Sequence, residues 1–359
     1  MLPNPAKRMR RLARLTEELD EIGLPFDGSQ PWHQIAVAEI DYALRPHVHE
    51  RRVPRYGALV QPTTDPSTWE RLTNLRIDRR PVGDMALSDA RRYADGIVSW
   101  MIRGTDTADT WEVFDRPAGS ERDLVVIAEA LGALVVQRHA SGQIRLVSND
   151  HGVFRWDGID WVRQPLVRRW IDSVDACGKF GDRQVFETLL EFAVHDLGAS
   201  GIGATLVYRP DQSRQASFDH RLAAPPPLRI TQPADLAPLR HALAQVDGAA
   251  LFDADGTLTA MGVRLVPSPT AEAEVDGYRG MRHTSGRRYS YDDPAATVIV
   301  VSEDGPVTVL RNGHLLGAST PVVEPGADQP PDLATQPGQR SSGTRRLLVT
   351  DRAVRGHDR

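Results

Sequence analysis

The sequence predicts an α/β protein, a mixed β-sheet flanked by helices with an α/β region ahead of it. Three observations predict this. From residue 121 onward, short apolar and β-branched runs alternate with stretches of helical period. The runs are punctuated by turn residues, as at Asp157-Gly158. The 359 residues are 40% hydrophobic and 25% charged, the ordinary balance of a soluble globular chain long enough for two domains.

Residues 7–23 read as a helix, because Leu12, Leu15, Leu19 and Ile22 fall at helical spacing and Gly23 offers a stop. A second helix over 32–44 ends before Pro46. Residues 50–120 are rich in Arg, Asp, Thr and Pro, and a helix is expected near 88–103 with Ser88 as its N-cap. Residues 1–120 thus form a partly helical N-terminal region of unknown role. A helix over Leu124–Leu131 follows. Ala133–Arg138, Gln143–Ser148, Val153–Trp156 and Asp160–Arg163 then read as an antiparallel meander, so that 121–164 leads into the next domain. Helices are expected over 165–177, 182–197 and 235–245, and a buried strand over Gly203–Tyr208. Residues 211–227 read as a polar, Pro-rich loop. Gly248–Phe252 and Leu258–Val263 pair across Asp253–Thr257, and 296–302 pairs with 307–311. The domain closes near 320, and the Pro-, Gly- and Ser-rich 321–359 reads as a disordered tail.

Composition excludes several functions. A net charge of −5 leaves no overall basic footprint for nucleic acid. The basic residues are 41 Arg and two Lys, Lys7 and Lys179, so lysine chemistry is absent after position 179. Cys177 is the single cysteine, which rules out an intrachain disulfide and a cysteine zinc cluster and fits a reducing, cytoplasmic setting. No apolar run reaches membrane-spanning length, and the basic N-terminus lacks a signal peptide's apolar core. His47 and His49 read as a solvated loop rather than metal ligands. Trp156 and Trp161 read as strand packing rather than an adenine stack.

Three motifs carry chemistry. In Asp247-Gly248-Ala249 a carboxylate precedes two residues that let a ligand approach the backbone. In Gly280-Met281-Arg282-His283-Thr284-Ser285 an arginine fork suits phosphate, with His283, Thr284 and Ser285 as further donors and a short helix expected to open over 284–290. In Val300-Val301-Ser302-Glu303 polar groups end a strand, where α/β sites lie.

Taken in order, these motifs resemble those of the diadenylate cyclase (DAC) domain family, the nucleotide-binding domain of the bacterial DNA-integrity-scanning protein and of cyclic-di-AMP synthases. An earlier element of that family, a helix followed by Gly-Ala-Leu-Ile-Val-Ile, is matched by Leu189–Leu197 and Gly203-Ala204-Thr205-Leu206-Val207-Tyr208. The resemblance spans about 165–317. It implies that two ATP molecules, held by two protomers face to face, condense into cyclic di-AMP with release of pyrophosphate. It implies a homo-oligomer. It assigns Asp247 to the attacking hydroxyl with Mg²⁺ or Mn²⁺, and Arg282 and His283 to phosphate. Gly248, Ala249, Leu206, Gly280, Met281, Thr284, Ser285, Ser302 and Glu303 are then expected around the nucleotide. Two positions depart from the family's Gly-Thr-Arg-His-Arg. Met281 replaces the threonine and removes a hydroxyl, and Thr284 replaces the last arginine and removes a charge. A weak or inactive sensor that binds ATP or a cyclic dinucleotide therefore stays open as the alternative.

A rival motif lies between the two halves. Leu251-Phe252-Asp253-Ala254-Asp255-Gly256-Thr257 resembles the first motif of haloacid-dehalogenase-type phosphatases, with Asp253 as nucleophile and Asp255 as general acid. The missing downstream lysine and the apolar alternation after Thr257 favour a hairpin turn instead.

Overall fold

The computed structural model describes residues 5–45, 48, 53–62, 66–105, 108–164, 167–168, 170–171, 181–211, 218–219, 224–278, 280–304 and 306–319. His47, His49, Cys177, Lys179 and the tail from 321 lie outside the described residues, as does most of the helix expected over 165–177. No helix among the described residues is long and apolar enough to cross a membrane.

Two mixed sheets form the body of the protein. The first contains β1 (Tyr56–Val60), β2 (Ile77–Pro81), β3 (Ser99–Arg103), β4 (Thr110–Phe114), β5 (Leu134–Arg138), β6 (Ile144–Ser148), β7 (Gly152–Trp156) and β8 (Trp161–Gln164). Their order is β2-β4-β3-β1-β5-β6-β7-β8. Strand β1 runs parallel to β3 and antiparallel to β5. The expected meander is therefore no mere lead-in to the next domain. It completes the sheet begun at β1, because Ala58, Leu59 and Val60 bury both faces and need a strand on each side.

Helices α1 (Pro5–Glu21) and α2 (Pro31–Leu44) cover one face, with Leu15, Leu19, Val37 and Ile40 packed on Ala58, Val136 and Leu146. Helices α3 (Pro66–Thr73) and α5 (Glu121–Leu131) cover the other, with Trp69, Leu124, Ile127 and Leu131 packed on Leu59, Val135 and Val147. Ser120 and Asp123 form a capping box at the start of α5.

The helix expected near 88–103 is a correction. Only α4 (Leu87–Ala90) and one 3₁₀ turn form, with Ala86 rather than Ser88 at the N-cap. Asp95 Oδ1 accepts from the backbone N–H groups of Ile97, Val98 and Ser99 at 2.8, 2.8 and 2.9 Å. That turn ends the helical path, and the apolar run Trp100–Ile102 becomes buried strand β3.

The second sheet contains β9 (Ala204–Tyr208), β10 (Phe218–Asp219), β11 (Ala249–Phe252), β12 (Leu258–Leu265), β13 (Thr297–Val301), β14 (Val307–Arg311) and β15 (His314–Ala318). Their order is β10-β12-β11-β9-β13-β14-β15, with β9 and β11 parallel. Helix α6 (Arg183–Glu191) continues into a turn of π-helix over Phe192–Leu197 and packs on one face. Helix α7 (Pro233–Leu243) joins that layer. Helix α9 (Met281–Asp292) covers the opposite face through Tyr289, and the short α8 (Pro269–Glu274) precedes it. Strand β15 was not expected, although Asn312-Gly313, both at positive φ, is a strong hairpin signal.

Candidate active site

Strands β9 and β11 begin, and β13 ends, at the same edge of the second sheet. The N-terminus of α9 meets them there and closes a groove of about 1270 Å³. Asp247, Gly248 and Ala249 line it from β11, and Gly280 to Ser285 from the start of α9. Val300 to Asp304 line it from the end of β13. Residues far apart in sequence thus converge because β11 and β13 flank β9 in register.

Asp247 is 96% exposed, its carboxylate open to the groove. Arg282 lies between two carboxylates, with Nη1 donating to Glu303 Oε1 at 3.1 Å and Nη2 3.8 Å from Asp247 Oδ1. Gly203 makes this arrangement possible, since a Cβ there would lie 2.7 Å from Arg282 Nη1 and 2.8 Å from Glu303 Cγ. Gly248 has φ +113, and a Cβ there would lie 2.8 Å from the carbonyl carbon of Gly262 on the neighbouring strand.

The groove gives its polar residues different amounts of freedom. His283 is buried, its Nε2 3.2 Å from Thr308 Oγ1 and its ring edge-on to Tyr278. The Thr284 hydroxyl accepts from Tyr278 N–H at 3.0 Å and donates to Tyr278 O at 3.2 Å. Ser285 Oγ donates to Arg282 O at 3.2 Å. Both hydroxyl donors therefore serve the backbone of the loop and helix. Met281, by contrast, is 89% exposed at the rim. Gly280 is the N-cap of α9, whose first-turn N–H groups lie at the groove with no acidic side chain in that turn.

One expected contact is corrected. Leu206 is fully buried in the core beneath α6 and is absent from the groove lining. Successive side chains of a strand alternate faces, so Thr205, one residue earlier, lines the groove instead. Sequence reading also missed Arg264, an exposed arginine on β12 that lines the groove beside Arg288. Its position after buried Val263 was the available signal. Arg287 faces elsewhere, with Nε donating to Gly313 O at 2.7 Å.

Two side issues resolve in the structure. Asp253 Oδ1 accepts from Asp255 N–H at 3.1 Å and Thr257 N–H at 2.8 Å, so it ties the β11–β12 hairpin turn. Trp156 and Trp161 pair with each other across β7 and β8, ring centroids 5.4 Å apart. Among the described residues, no group of three or more His, Cys, Asp or Glu is placed to hold a metal. Asp247 and Glu303 are the groove's hard-oxygen donors nearest Arg282. One or two carboxylates completed by phosphate oxygens is the donor set Mg²⁺ accepts, so the residues fit such an ion only with nucleotide present.

Residues 13–164, which include the whole first sheet, match the family described as "Probable sensor domain DACNK". Residues 191–315 match the family described as "DisA bacterial checkpoint controller nucleotide-binding". No curated protein matches the sequence. Two solved structures are similar at 17% identity. One is a hypothetical membrane spanning protein from Bacillus cereus, with a TM-score of 0.28, covering 42% of this chain and 86% of that one. The other is DacA from Staphylococcus aureus, with a TM-score of 0.24, covering 38% of this chain and 87% of that one. The motifs thus gather at one groove inside the segment that matches the DisA-type nucleotide-binding family, and the first sheet lies inside the segment that matches the DACNK family.

Proposed function

We propose that this protein is a diadenylate-cyclase-like nucleotidyltransferase that condenses two ATP into cyclic di-AMP and releases two pyrophosphates. The observation that carries the reading is the convergence of Asp247 and Arg282 on one groove at the N-terminus of α9. In each half-reaction a ribose 3′-oxygen forms a bond to the α-phosphorus of the other ATP. The bond from that phosphorus to the bridging oxygen breaks, and pyrophosphate leaves. The hydroxyl proton goes to base or solvent, with Asp247 positioned to direct it. Arg282 and the first-turn N–H groups of α9 balance the phosphate charge. Mg²⁺ or Mn²⁺, held by Asp247 with phosphate oxygens, would supply further charge neutralisation. One groove presents one α-phosphate, so a second copy facing the first supplies the other nucleotide. Such a protein works in the cytoplasm, where ATP is made available.

A second reading has its own support. Met281 leaves no hydroxyl at its position, and the Thr284 hydroxyl is engaged by Tyr278. A groove so altered suits a domain that binds nucleotide without turning it over. Incubation with ATP and Mn²⁺ separates the two. The cyclase reading expects one cyclic di-AMP for every two pyrophosphates, both lost in Asp247→Asn. Nucleotide binding with no product under either metal would establish the sensor instead.

A further inference from the structure

The DACNK-type domain and the nucleotide-binding domain meet at a buried polar joint. Glu121, the first residue of α5, is fully buried. Its Oε1 accepts from Arg155 Nη2 at 2.6 Å and lies 2.9 Å from His195 Nδ1, and its Oε2 accepts from Arg155 Nε at 2.7 Å. Arg155 Nη2 also reaches Val194 O at 3.1 Å. Beside this cluster Arg122 Nε donates to Asp196 Oδ2 at 2.8 Å, and its Nη1 to Glu191 Oε2 at 3.3 Å. Val194, His195 and Asp196 all lie in the π-turn of 192–197.

That turn is connected to the groove by a short path. Ile202 N–H donates to Leu197 O at 3.0 Å, which fixes the loop after the turn. Gly203 follows, in contact range of Arg282 and Glu303. The turn also packs under β13, whose end carries Ser302 and Glu303. A π-turn bonds one residue further along the chain than an α-helical turn, is rare, and occurs frequently at functional sites. An α-helical turn over the same residues would change the angle and height at which the chain leaves towards Gly203.

We propose that Glu121, Arg155 and His195 are positioning residues of the nucleotide site. From the DACNK-type domain, Glu121 and Arg155 grip His195 and the Val194 carbonyl and so hold the 192–197 turn in π geometry, and through that turn the three set where Gly203 and Arg282 stand. The inference rests on the reading of the groove as a nucleotide site. A buried ion pair is no better for stability than packed apolar side chains, so six charged or polar groups spent on one joint serve geometry. Burial alone would raise the Glu121 pKa, but the Arg155 charge and the His195 and Arg155 hydrogen bonds hold it at about 2. The carboxylate therefore stays charged and keeps its grip on the turn.

The test compares His195→Leu, which removes the ring donor, with His195→Asn, which keeps an N–H near the Nδ1 position. In the full chain without nucleotide, amide exchange at 198–203 and 280–284 is expected to quicken about five- to tenfold in the leucine variant. It should return towards wild type in the asparagine variant. Affinity for a non-hydrolysable ATP analogue should fall by a similar factor in the leucine variant alone. Unchanged exchange at 198–203, or a uniform rise across the second sheet, overturns the proposal. If His195→Leu does not fold, Arg122→Gln decides by the same exchange measurement. Wild-type protein that binds the analogue but makes no cyclic di-AMP sinks the cyclase reading and leaves the exchange result for the joint standing.

Discussion

Under the proposed reading, nucleotide affinity turns on Arg282. Its guanidinium has two carboxylates to leave and a triphosphate to gain. A charge-assisted contact to phosphate contributes on the order of 1.5–3 kcal/mol, so Arg282→Ala should weaken ATP-analogue binding about ten- to a hundredfold. Arg264 is exposed on β12 rather than at the helix start, and Arg264→Ala should cost about two- to fivefold in the same titration, with no loss of thermal stability. Equal effects from both would mean the triphosphate runs along β12 rather than across α9. Asp247 and Arg282 stood out in the sequence only because three motifs, each commonplace alone, follow one another in order, and the structure brings the two side chains to one groove. Leu206 and Arg264 went wrong for one reason: which face a strand residue takes depends on a one-residue register that flanking turns, not motifs, determine. The role of Thr284 was likewise illegible, since its partner is the backbone of Tyr278 in a loop whose path no spacing reveals, whereas Ser285 bonds the Arg282 carbonyl one turn back in α9.

At the scale of elements, β11 and its hairpin hold Asp247 in place. Gly248 stands where φ is +113 and the next strand's backbone is closest. Gly248→Ala should destabilise the protein by about 1–3 kcal/mol, read as a shift of the denaturation midpoint. A neutral result would show that β11 and β12 separate at no cost. The apolar runs of β9, β11, β13 and β14 were legible because buried strands are short, β-branched and bounded by turn residues. Helix α9 was foreseen only from 284 to 290, although it begins at Met281. Its first turn is capped by Gly280 with no side-chain acceptor, which leaves no Ser, Thr, Asp or Asn signature to find. The segment 88–103 failed in the opposite sense. An apolar pattern of ambiguous period was read as a helix, and the side chain of Asp95 decided it as a turn.

For the whole molecule, acid should weaken the joint between the two sheets. Glu121 is held at about 2 in the folded protein against an ordinary 4.5. A lowered carboxylate pKa contributes stability that is full above 4.5 and is lost as pH falls towards 2. The contribution is on the order of 3 kcal/mol. Stability measured by denaturant should therefore drop between pH 5 and 2, and Glu121→Gln should flatten that drop while lowering stability at pH 7. A drop of equal size in the variant would assign it to other carboxylates. The second sheet was legible, but the joining of β1–β4 with the meander into a first sheet was not, and neither was the buried charge cluster between the sheets, whose members are scattered over residues 121–196 with no motif among them. The charges at the groove have a consequence of their own. Arg264, Arg282 and Arg288 line it together with Asp247, Glu303 and Asp304, so its fixed charges cancel. A polyanion arriving there meets no attractive field at long range. Binding is then an exchange of partners at close contact, and discrimination among nucleotides falls to shape and to the cation each one carries with it.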